Sequence, residues 1–369
     1  MLWIAPLAAQ HIRFLGYVNP YLCEDGPLFR EAQHAGYLIT QSNGDVYRVD
    51  FGEFICGMVD FSLPAAAEWF EVRVLHTEML SKGLSGWMAD FGEYQPPDAV
   101  VNGGDGWQQH NLLPVLWARS NARAIERAGK TGEALFFMRS GYTGSQRYCS
   151  LMWAGDQSVD FSRHDGLPSV ISAALSAGLV GFPYHHSDIG GYTSLFGNVR
   201  SPELFQRWAE LAAFTAVMRT HEGNRPDDNV QFWHSPEVLA HFARMTQLYA
   251  ALKPYRMQCV KDAETHGWPL QRPLFFHFEN DLRTWALQDC FLLGADLLVA
   301  PVLENLVRVR HTYLPQGERW VHLWTRQTFE GGQHVTVAAP LGSPPVFVRE
   351  KSEWLDTLLT VPQQLGRAL

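Results

Sequence analysis

The chain has 369 residues, of which 46% are hydrophobic and 18% are charged, and its formal net charge is -9 at pH 7. This composition is ordinary for a packed globular protein and excludes disordered and collagen-like classes. The negative charge, without any run of Lys or Arg, argues against nucleic acid and anionic membranes as partners. No apolar segment is long enough to span a bilayer, so we expect no membrane partner.

The N-terminal sequence lacks the basic region of a secretory signal, and we therefore predict a cytoplasmic location. The five cysteines are scattered and contain no Cys-x-x-Cys, which predicts buried reduced thiols rather than a disulfide framework or a zinc site. They are Cys23, Cys56, Cys149, Cys259 and Cys290. We expect no cofactor and no metal ion, and the oligomeric state stays open, a homo-oligomer included.

Strand and helix patterns alternate along the chain to about residue 255. Apolar runs bounded by turn residues predict strands, and the longer periodic segments predict helices. The predicted strands cover 12–18, the run from Gly86 that leads to Asp90, 134–138, 149–153, 179–182 and 215–218. The predicted helices cover 27–35, 64–81, 112–128, 167–177, a helix opening at Ser201-Pro202-Glu203, and 235–254.

Most of the predicted strands lead into charged or imidazole side chains. These residues are Asp90, Arg139, Asp156, His185, His186, Asp188, Arg219 and His221. In a (β/α)8 barrel the functional groups come from the carboxyl ends of several strands. A doubly wound sheet is the rival architecture, but it usually has a glycine-rich phosphate loop, and this sequence contains none. The pattern favours an α/β chain with a TIM-type barrel.

The pattern changes near Cys259, after which the predicted segments are short and rich in β-formers. They cover 273–276, 295–300, 320–324 and 345–348, with glycine turns between them. Such a series is typical of an antiparallel β-sandwich. We therefore predict two domains, a catalytic barrel at 1–258 and a C-terminal sandwich at 259–369.

Two of the predicted strand-end acids, Asp90 and Asp156, lie two strands apart in barrel order. Paired carboxylates without metal-ligand spacing suit glycoside hydrolysis, in which one attacks the anomeric carbon and the other protonates the leaving oxygen. The acid needs a raised pKa, which the apolar neighbours Met152 and Trp153 could supply by desolvation. The plain alternative is that both acids only cap helices.

Three other chemistries fit the sequence less well. Asp-Phe-Gly at 90–92 mimics a kinase triplet, but neither a glycine-rich loop nor a His-Arg-Asp loop accompanies it. His185, His186 and Asp188 could form half of a metal site, but no further His or acid follows at helical spacing, which favours a hydrogen-bonded loop. Gly-x-Ser-x-Gly is absent, so no serine nucleophile is predicted.

Five motifs in order along the chain resemble glycoside hydrolase family 31, and among its members most closely the bacterial sulfoquinovosidases. The resemblance runs from about Ile12 to Trp354. The motifs are Gly-Trp-Met-Ala-Asp-Phe-Gly-Glu-Tyr at 86–94, Met-Arg-Ser-Gly-Tyr-Thr-Gly-Ser-Gln-Arg-Tyr at 138–148, Met-Trp-Ala-Gly-Asp at 152–156, His-His-Ser-Asp-Ile-Gly-Gly-Tyr at 185–192, and Met-Arg-Thr-His-Glu-Gly-Asn-Arg-Pro at 218–226.

The resemblance implies that Asp90 is the nucleophile and Asp156 the general acid/base of a retaining α-glycosidase. It also implies a covalent glycosyl-aspartate intermediate, with the two carboxyl groups about 5–5.5 Å apart. Asp156 would protonate the leaving glycerol-type oxygen and then deprotonate the incoming water.

Other positions match family residues that surround the sugar. Arg139 and His221 match positions that hydrogen-bond the sugar hydroxyls. Asp188 and Arg219 resemble supports of those residues, and Trp153 resembles a wall of the site. The resemblance therefore implies a polar pocket for a small-molecule sugar.

Tyr192 bears on the substrate. Ordinary α-glucosidases of the family usually have Phe after the Asp-x-Gly-Gly run, whereas its sulfoquinovosidases resemble this chain in having Tyr, whose hydroxyl helps to bind the sulfonate through water. Asp-Phe-Gly-Glu at 90–93, in place of Asp-Met-Asn-Glu, points the same way. The resemblance thus implies anionic α-sulfoquinovosides such as sulfoquinovosyl glycerol as substrates, with an α-glucosidase or α-xylosidase as the alternative.

The chain departs from the family before Ile12, where members carry an N-terminal β-sandwich and two further barrel strands. The resemblance therefore implies an incomplete barrel of about six strand-helix units. In the sulfoquinovosidases, the region of the second barrel strand holds an Arg and a Trp that clamp the sulfonate. No residue of this chain matches them. Because a barrel without two strands exposes edge N–H and C=O groups, a catalytically silent remnant or one half of a split enzyme is a second hypothesis.

Overall fold

The computed structural model describes residues 4–365. It divides into two compact units, with the division between Met152 and Trp153. The predicted domain boundary between residues 258 and 259 stays a prediction, and residues 1–3 and 366–369 of the predicted domains lie outside the described residues. None of the helices in residues 4–365 combines the length and the apolar character needed to cross a membrane.

The first unit mixes helices with short strands. Its α-helices are α1 (Ile4–Ala9), α2 (Pro27–His34), α3 (Pro64–Trp69), α4 (Gly106–Gln109) and α5 (Leu113–Arg127). Its strands are β1 (Gly16–Val18), β2 (Tyr21–Cys23), β3 (Arg48–Asp50), β4 (Ile55–Met58), β5 (Gly86–Ala89), β6 (Val100–Val101), β7 (Gly104–Asp105) and β8 (Leu135–Phe137), while β9 (Leu151–Trp153) crosses the division.

A parallel sheet in the order β1-β5-β8 forms the centre of the first unit. Gly86 of β5 has a φ of +146°, and a Cβ added there would lie 1.9 Å from the carbonyl oxygen of Leu135 on β8. Only glycine therefore allows the two strands to approach this closely. Since the three strands are parallel, the residues that follow β1, β5 and β8 all leave the sheet at its carboxyl edge.

Helix α5 packs against this sheet through buried aromatic side chains. The indole N–H of Trp87 donates to Asn121 on α5 at 2.6 Å, and Asn121 is fully buried. Trp117 of α5 lies edge-on to Phe61 and Phe70, with ring centroids 5.1 Å and 5.6 Å away. Each buried polar atom in this contact has a partner, which is the condition for burying it at low cost.

A second sheet in the first unit is antiparallel, in the order β2-β4-β3. The helix predicted over 64–81 is confirmed in extent but not in form. After α3, residues Phe70–Met79 form a π-helical segment, and Leu80–Lys82 form a 3-10 turn that ends at Gly83, whose φ is +94°. The sequence carries no signal for the π-helical widening, which is a feature of the tertiary structure.

The second unit contains the remaining helices and strands. Its α-helices are α6 (Ser169–Leu179), α7 (Pro202–Ala212), α8 (Pro236–Ala251), α9 (Lys253–His266) and α10 (Leu355–Gln364). Its strands are β10 (Tyr184–His186), β11 (Asp188–Ile189), β12 (Arg219–Thr220), β13 (Gln271–Arg272), β14 (Phe291–Leu293), β15 (Leu297–Val299), β16 (Val309–Leu314), β17 (Arg319–His322), β18 (Thr328–Glu330), β19 (Gln333–Ala338) and β20 (Val346–Arg349).

The predicted helix starts at α7 and α8 are confirmed. The hydroxyl of Ser201 accepts the backbone N–H of Leu204 at 3.2 Å, and the hydroxyl of Ser235 accepts that of Val238 at 3.3 Å. Both serines are followed by proline at the first helical positions. These contacts satisfy N–H groups that a helix start otherwise leaves without partners.

The strand predicted over 179–182 is wrong in position. Residue 179 ends α6, and the next residues form a turn in which the N–H of Phe182 donates to the carbonyl of Ala177 at 3.0 Å. Gly181 has a φ of +94°, which stops the helix. The strand β10 begins two residues after Phe182, so the apolar run 179–182 packs as a helix end.

Other predicted strands are also corrected. Segment 215–218 is a bend followed by irregular backbone, in which the Thr215 hydroxyl donates to the carbonyls of Ala212 and Val217, and the strand that follows is β12. Helix α9 runs through Cys259, near which the sequence pattern predicts the change to short β-rich segments, and it ends before Gly267, whose φ is +73°. Segment 273–276 contains a 3-10 turn rather than a strand. Segments 215–218 and 273–276 are short, mostly apolar runs, and such runs fit irregular backbone as well as a strand.

The C-terminal part of the second unit is mostly antiparallel sheet. Six strands follow the order β13-β14-β15-β20-β17-β18, and each recorded pairing among them is antiparallel. Strands β16 and β19 form a separate antiparallel pair. Side chains of both sheets share one core, which contains Leu274, Cys290, Leu292, Leu298, Ala300, Leu314, Trp320, Val335 and Phe347.

Candidate active site

Asp90 follows β5 directly and is 8% exposed. Its Oδ2 accepts the hydroxyl of Tyr17 at 2.6 Å, and its Oδ1 accepts the backbone N–H of Phe91 at 2.8 Å. Asn19 donates in turn to the Tyr17 oxygen at 3.2 Å. Both carboxylate oxygens of Asp90 thus accept a hydrogen bond, which fixes the orientation of the side chain.

Arg139, two residues beyond β8, lies beside the same carboxylate. Its Nε is 3.4 Å from Oδ1 of Asp90, while its Nε and Nη2 lie 2.9 Å and 2.8 Å from Oε1 of Glu93. Burial raises the pKa of Glu93 above its usual value, although Arg139 pulls it down. The first unit therefore brings one guanidinium beside two carboxyl groups, and the predicted roles of Asp90 and Arg139 stay predictions.

Aromatic rings enclose this group. The guanidinium carbon of Arg139 lies 4.4 Å from the ring centroid of Phe91 and 5.9 Å from that of Tyr94. Phe91 has a φ of +57°, which costs a bulky residue energy, and its carbonyl accepts the Ser140 hydroxyl at 2.7 Å. The hydrogen bond from Ser140 thus holds the turn that follows Asp90 in place.

Asp156 belongs to the second unit, in the loop after Trp153. Its side chain is exposed, whereas Trp153 is buried. The backbone carbonyl of Asp156 accepts the Thr193 hydroxyl at 2.7 Å. The next residue, Gln157, accepts the N–H groups of Tyr192 and Thr193 at 2.8 Å and 2.9 Å. The loop that holds Asp156 is thus joined to the loop that holds Tyr192.

Tyr192 and His221 lie together in the second unit. Their ring centroids are 5.0 Å apart at an interplanar angle of 80°. The N–H of Gly223 donates to Nδ1 of His221 at 3.0 Å, so a neutral ring carries its proton on Nε2. That nitrogen is then a hydrogen-bond donor, which suits the predicted contact between His221 and a sugar hydroxyl.

Asp188 and Arg219 form a part-buried ion pair across the parallel strands β11 and β12. Asp188 is 1% exposed and accepts from Nη2 of Arg219, whose Nε lies 3.2 Å from Nε2 of His186. His186 and Asp188 are therefore both engaged with Arg219. His185 is also buried, and burial lowers its pKa to about 4. Within residues 4–365 no group of three or more His, Cys, Asp or Glu side chains is arranged to hold a metal ion.

Sequence reasoning missed three polar residues of these clusters. Tyr17 and Glu93 contact Asp90 and Arg139, respectively, in the first unit. In the second unit Arg200 is fully buried, and its guanidinium donates to the carbonyls of Gly190 and His221 at 3.1 Å and 2.8 Å. Burial lowers the pKa of Arg200 to about 10. The available signal was a tyrosine at the end of a predicted strand and a second acid three residues after Asp90.

The two segments of the chain match two family models. Residues 3–258 match the glycosyl hydrolases family 31 TIM-barrel domain, and residues 267–352 match the family 31 C-terminal domain. The chain belongs to glycoside hydrolase family 31. The predicted order of a TIM-type barrel followed by a mostly antiparallel domain is thereby confirmed.

Within family 31 the chain is similar to sulfoquinovosidases. It is 60% identical to one from Agrobacterium fabrum over 95% of this chain and 53% of that protein. It is 52% identical to one from Escherichia coli over 94% of this chain and 51% of that protein. A solved sulfoquinovosidase from E. rectale, in complex with an aza-sugar inhibitor, superposes with a TM-score of 0.94 at 49% identity, covering 98% of this chain and 54% of the other. The chain spans about half the length of the curated relatives it matches.

Proposed function

We propose that this chain is a retaining α-glycosidase that cleaves α-sulfoquinovosides, sulfoquinovosyl glycerol among them. The observation that carries the proposal is the identity of 60% and 52% to two sulfoquinovosidases across nearly the whole chain. This level of identity favours the substrate class of the two sulfoquinovosidases over α-glucosides and α-xylosides. Tyr192 is the residue for which we propose a contact with the sulfonate through water.

In the first proposed step, the carboxylate of Asp90 attacks the anomeric carbon while the bond to the glycerol oxygen breaks. Asp156, in its acid form, gives its proton to that oxygen, and the sugar remains as an ester on Asp90. The donors on Asp90 support this role, since the Tyr17 hydroxyl and the Phe91 N–H fix the carboxylate in one orientation.

In the second proposed step, Asp156 removes a proton from water, the water oxygen attacks the anomeric carbon, and Asp90 leaves as a carboxylate. A carboxylate leaves more easily when a donor and a positive charge already face it, as the Tyr17 hydroxyl and the Arg139 guanidinium do. The exposure of Asp156 fits a residue that meets water in this step.

We propose that Arg139 and His221 bind the sugar hydroxyls. Glu93 supports the role of Arg139, because it accepts from two nitrogens of the guanidinium and so fixes its orientation. The N–H of Gly223 supports the role of His221, because it leaves Nε2 as the donor. Asp188 holds Arg219 from a fully buried position, which is a supporting role.

The prediction that this chain lacks two barrel strands stays a prediction beside this proposal. With it stays the second hypothesis, a catalytically silent remnant or one half of a split enzyme. The activity of the folded chain by itself distinguishes the proposed glycosidase from the second hypothesis. A cooperative unfolding transition without any glycosidase activity favours the second hypothesis.

The test is hydrolysis of a chromogenic nitrophenyl α-sulfoquinovoside by the wild-type chain, with the matching α-glucoside and α-xyloside as competitors. We expect the highest kcat/KM for the sulfosugar; preference for either competitor would remove the substrate proposal and leave the family. Asp90→Asn is expected to fall below about a thousandth of the wild-type rate. Asp98→Asn is the matched control, because Asp98 is an exposed acid that accepts from Tyr47.

A further inference from the structure

Two cysteines of the first unit lie opposite each other on neighbouring strands. Cys23 ends β2, Cys56 lies on β4, and the two residues are direct partners in the antiparallel register. The Sγ of Cys56 donates to the Sγ of Cys23 at 3.6 Å. Both are free thiols in the structure, Cys23 exposed and Cys56 buried. Neither contacts the proposed chemistry, so they require a separate explanation.

The hydrogen bonds of the two strands define the kind of pair these cysteines form. The N–H of Glu24 donates to the carbonyl of Ile55 at 2.9 Å, and the N–H of Val59 donates to that of Pro20 at 3.1 Å. Hydrogen-bonded and non-hydrogen-bonded pairs alternate along an antiparallel ladder. Since the pairs 24/55 and 20/59 are hydrogen-bonded, the pair 23/56 is not.

Non-hydrogen-bonded pairs have Cα atoms only about 4.5 Å apart. That separation lies within the range of about 4.4–6.8 Å that a disulfide bridges. The sulfur atoms must approach from 3.6 Å to about 2.05 Å, which side-chain rotation can achieve without moving the strands. The backbone is therefore already placed for a covalent bond.

We propose that Cys23 and Cys56 are a reversible disulfide site that reacts with low-molecular-weight disulfides such as oxidised glutathione. The thiolate of Cys23 attacks one sulfur of the oxidant, forms a mixed disulfide and releases one glutathione thiolate. The thiolate of Cys56 then attacks the Cys23 sulfur and releases the second glutathione. Two protein thiols are oxidised to one disulfide, the oxidant is reduced to two thiols, and the two thiol protons pass to the released thiolates and solvent.

Exposure assigns the order of the two steps. Cys23 is open to solvent and meets the oxidant first, whereas burial, together with the neighbouring Cys23, raises the pKa of Cys56 to about 12. A small thiolate fraction slows the second attack, and the proximity of the two sulfurs compensates for it. The mixed disulfide on Cys23 should therefore be seen at early times and then disappear.

The sheet that contains Cys23 and Cys56 also contacts the loop that follows Asp90. Cys23 lies two residues from Tyr21, whose ring centroid is 5.7 Å from that of Phe91 at an angle of 89°. The hydroxyl of Tyr21 also donates to the carbonyl of Tyr94 at 3.3 Å. The sheet that the disulfide would link thus packs against the loop that follows Asp90.

The experiment treats the reduced full chain with oxidised glutathione, quenches with acid, alkylates remaining thiols under denaturing conditions and digests with trypsin. Cleavage after Arg13, Arg30, Arg48 and Arg73 places Cys23 and Cys56 in separate peptides, 14–30 and 49–73. We expect these two peptides to be linked, and dithiothreitol to separate them. The buried Cys149, Cys259 and Cys290 should stay reduced during the oxidation and be recovered as alkylated thiols, which makes them internal controls.

Two variants test the mechanism. In Cys56→Ala the glutathione should stay on Cys23, because no second thiol removes it. In Cys23→Ser, a change at an exposed position, Cys56 should remain a thiol. A wild-type chain that keeps glutathione on Cys23 as long as Cys56→Ala does would overturn the proposal, as would disulfide-linked dimers in place of the linked peptides.

Discussion

The hydroxyl of Tyr17 offers a sharp test of how Asp90 is held. It donates to Oδ2 of Asp90 at 2.6 Å, and burial with the adjacent carboxylate raises the pKa of Tyr17 well above its usual value. The phenol therefore stays protonated and donates throughout the working pH range. Tyr17→Phe removes this donor and leaves the ring in place.

The size of the effect follows from the strength of one hydrogen bond to a charged group, about 1.5–3 kcal/mol. Because the contact is only part-buried, solvent screens it and the lower value applies. About 1.4 kcal/mol corresponds to a tenfold change in rate. Removing the donor leaves Asp90 less firmly held, so kcat/KM should fall about tenfold. Arg139 and Glu93 stay in place beside Asp90, so the loss reports on the Tyr17 hydroxyl.

The assay is kcat/KM for the chromogenic α-sulfoquinovoside at the pH of highest activity, since this ratio reports the loss of transition-state stabilisation relative to free enzyme and substrate. Tyr47→Phe is the matched control, because the Tyr47 hydroxyl donates to a different carboxylate, Asp98, at 2.8 Å. An unchanged kcat/KM in Tyr17→Phe, or an equal loss in Tyr47→Phe, would refute the reasoning.

Three further predictions concern stability, measured by urea unfolding. Gly191→Ala should destabilise the chain more than Gly197→Ala by about 1–3 kcal/mol, because both have positive φ but only the Cβ at 191 meets a backbone oxygen, at 2.7 Å; equal losses would contradict the crowding. Asp188→Asn should cost about 1.5–3 kcal/mol by removing the charged acceptor of the part-buried Arg219 guanidinium, and a loss below about 0.5 kcal/mol would show that the pair is not structural. Burial holds the pKa of His185 near 4, below the unfolded value of about 6.5. The contribution of neutral His185 to the free energy of unfolding is therefore complete above pH 6.5 and declines as the pH falls toward 4. His185→Gln should flatten this decline. A stability curve of His185→Gln that runs parallel to the wild-type curve would argue against the role of His185.

The alternation of helices and strands was predictable because its signals are local. Ser201 and Ser235 precede proline and a periodic apolar pattern, and both form the expected caps. The strand before Asp90 was equally clear, since an apolar run ends there in a carboxylate. These features depend on neighbours within a few residues, which the sequence displays directly.

The errors arise where tertiary contacts decide. The apolar runs 179–182 and 215–218 were predicted as strands, but hydrogen bonds back to the preceding helix ends hold them as turns or bends. Tyr17 was missed because its contact with Asp90 depends on the pairing of β1 with β5, across 73 residues. Arg200 was missed for the same reason, since its acceptors are carbonyls of three separate loops.

The measurement that tests the central claim most directly is covalent capture of the nucleophile. During incubation with a fluorinated α-sulfoquinovosyl fluoride, the glycosyl ester should form rapidly on the protein and be hydrolysed slowly. Intact-mass analysis should therefore detect one added sugar. We predict that the sugar maps to Asp90, in the tryptic peptide 83–119, and that Asp90→Asn takes up none. A label on a different carboxylate, or equal labelling of the variant, would contradict the account.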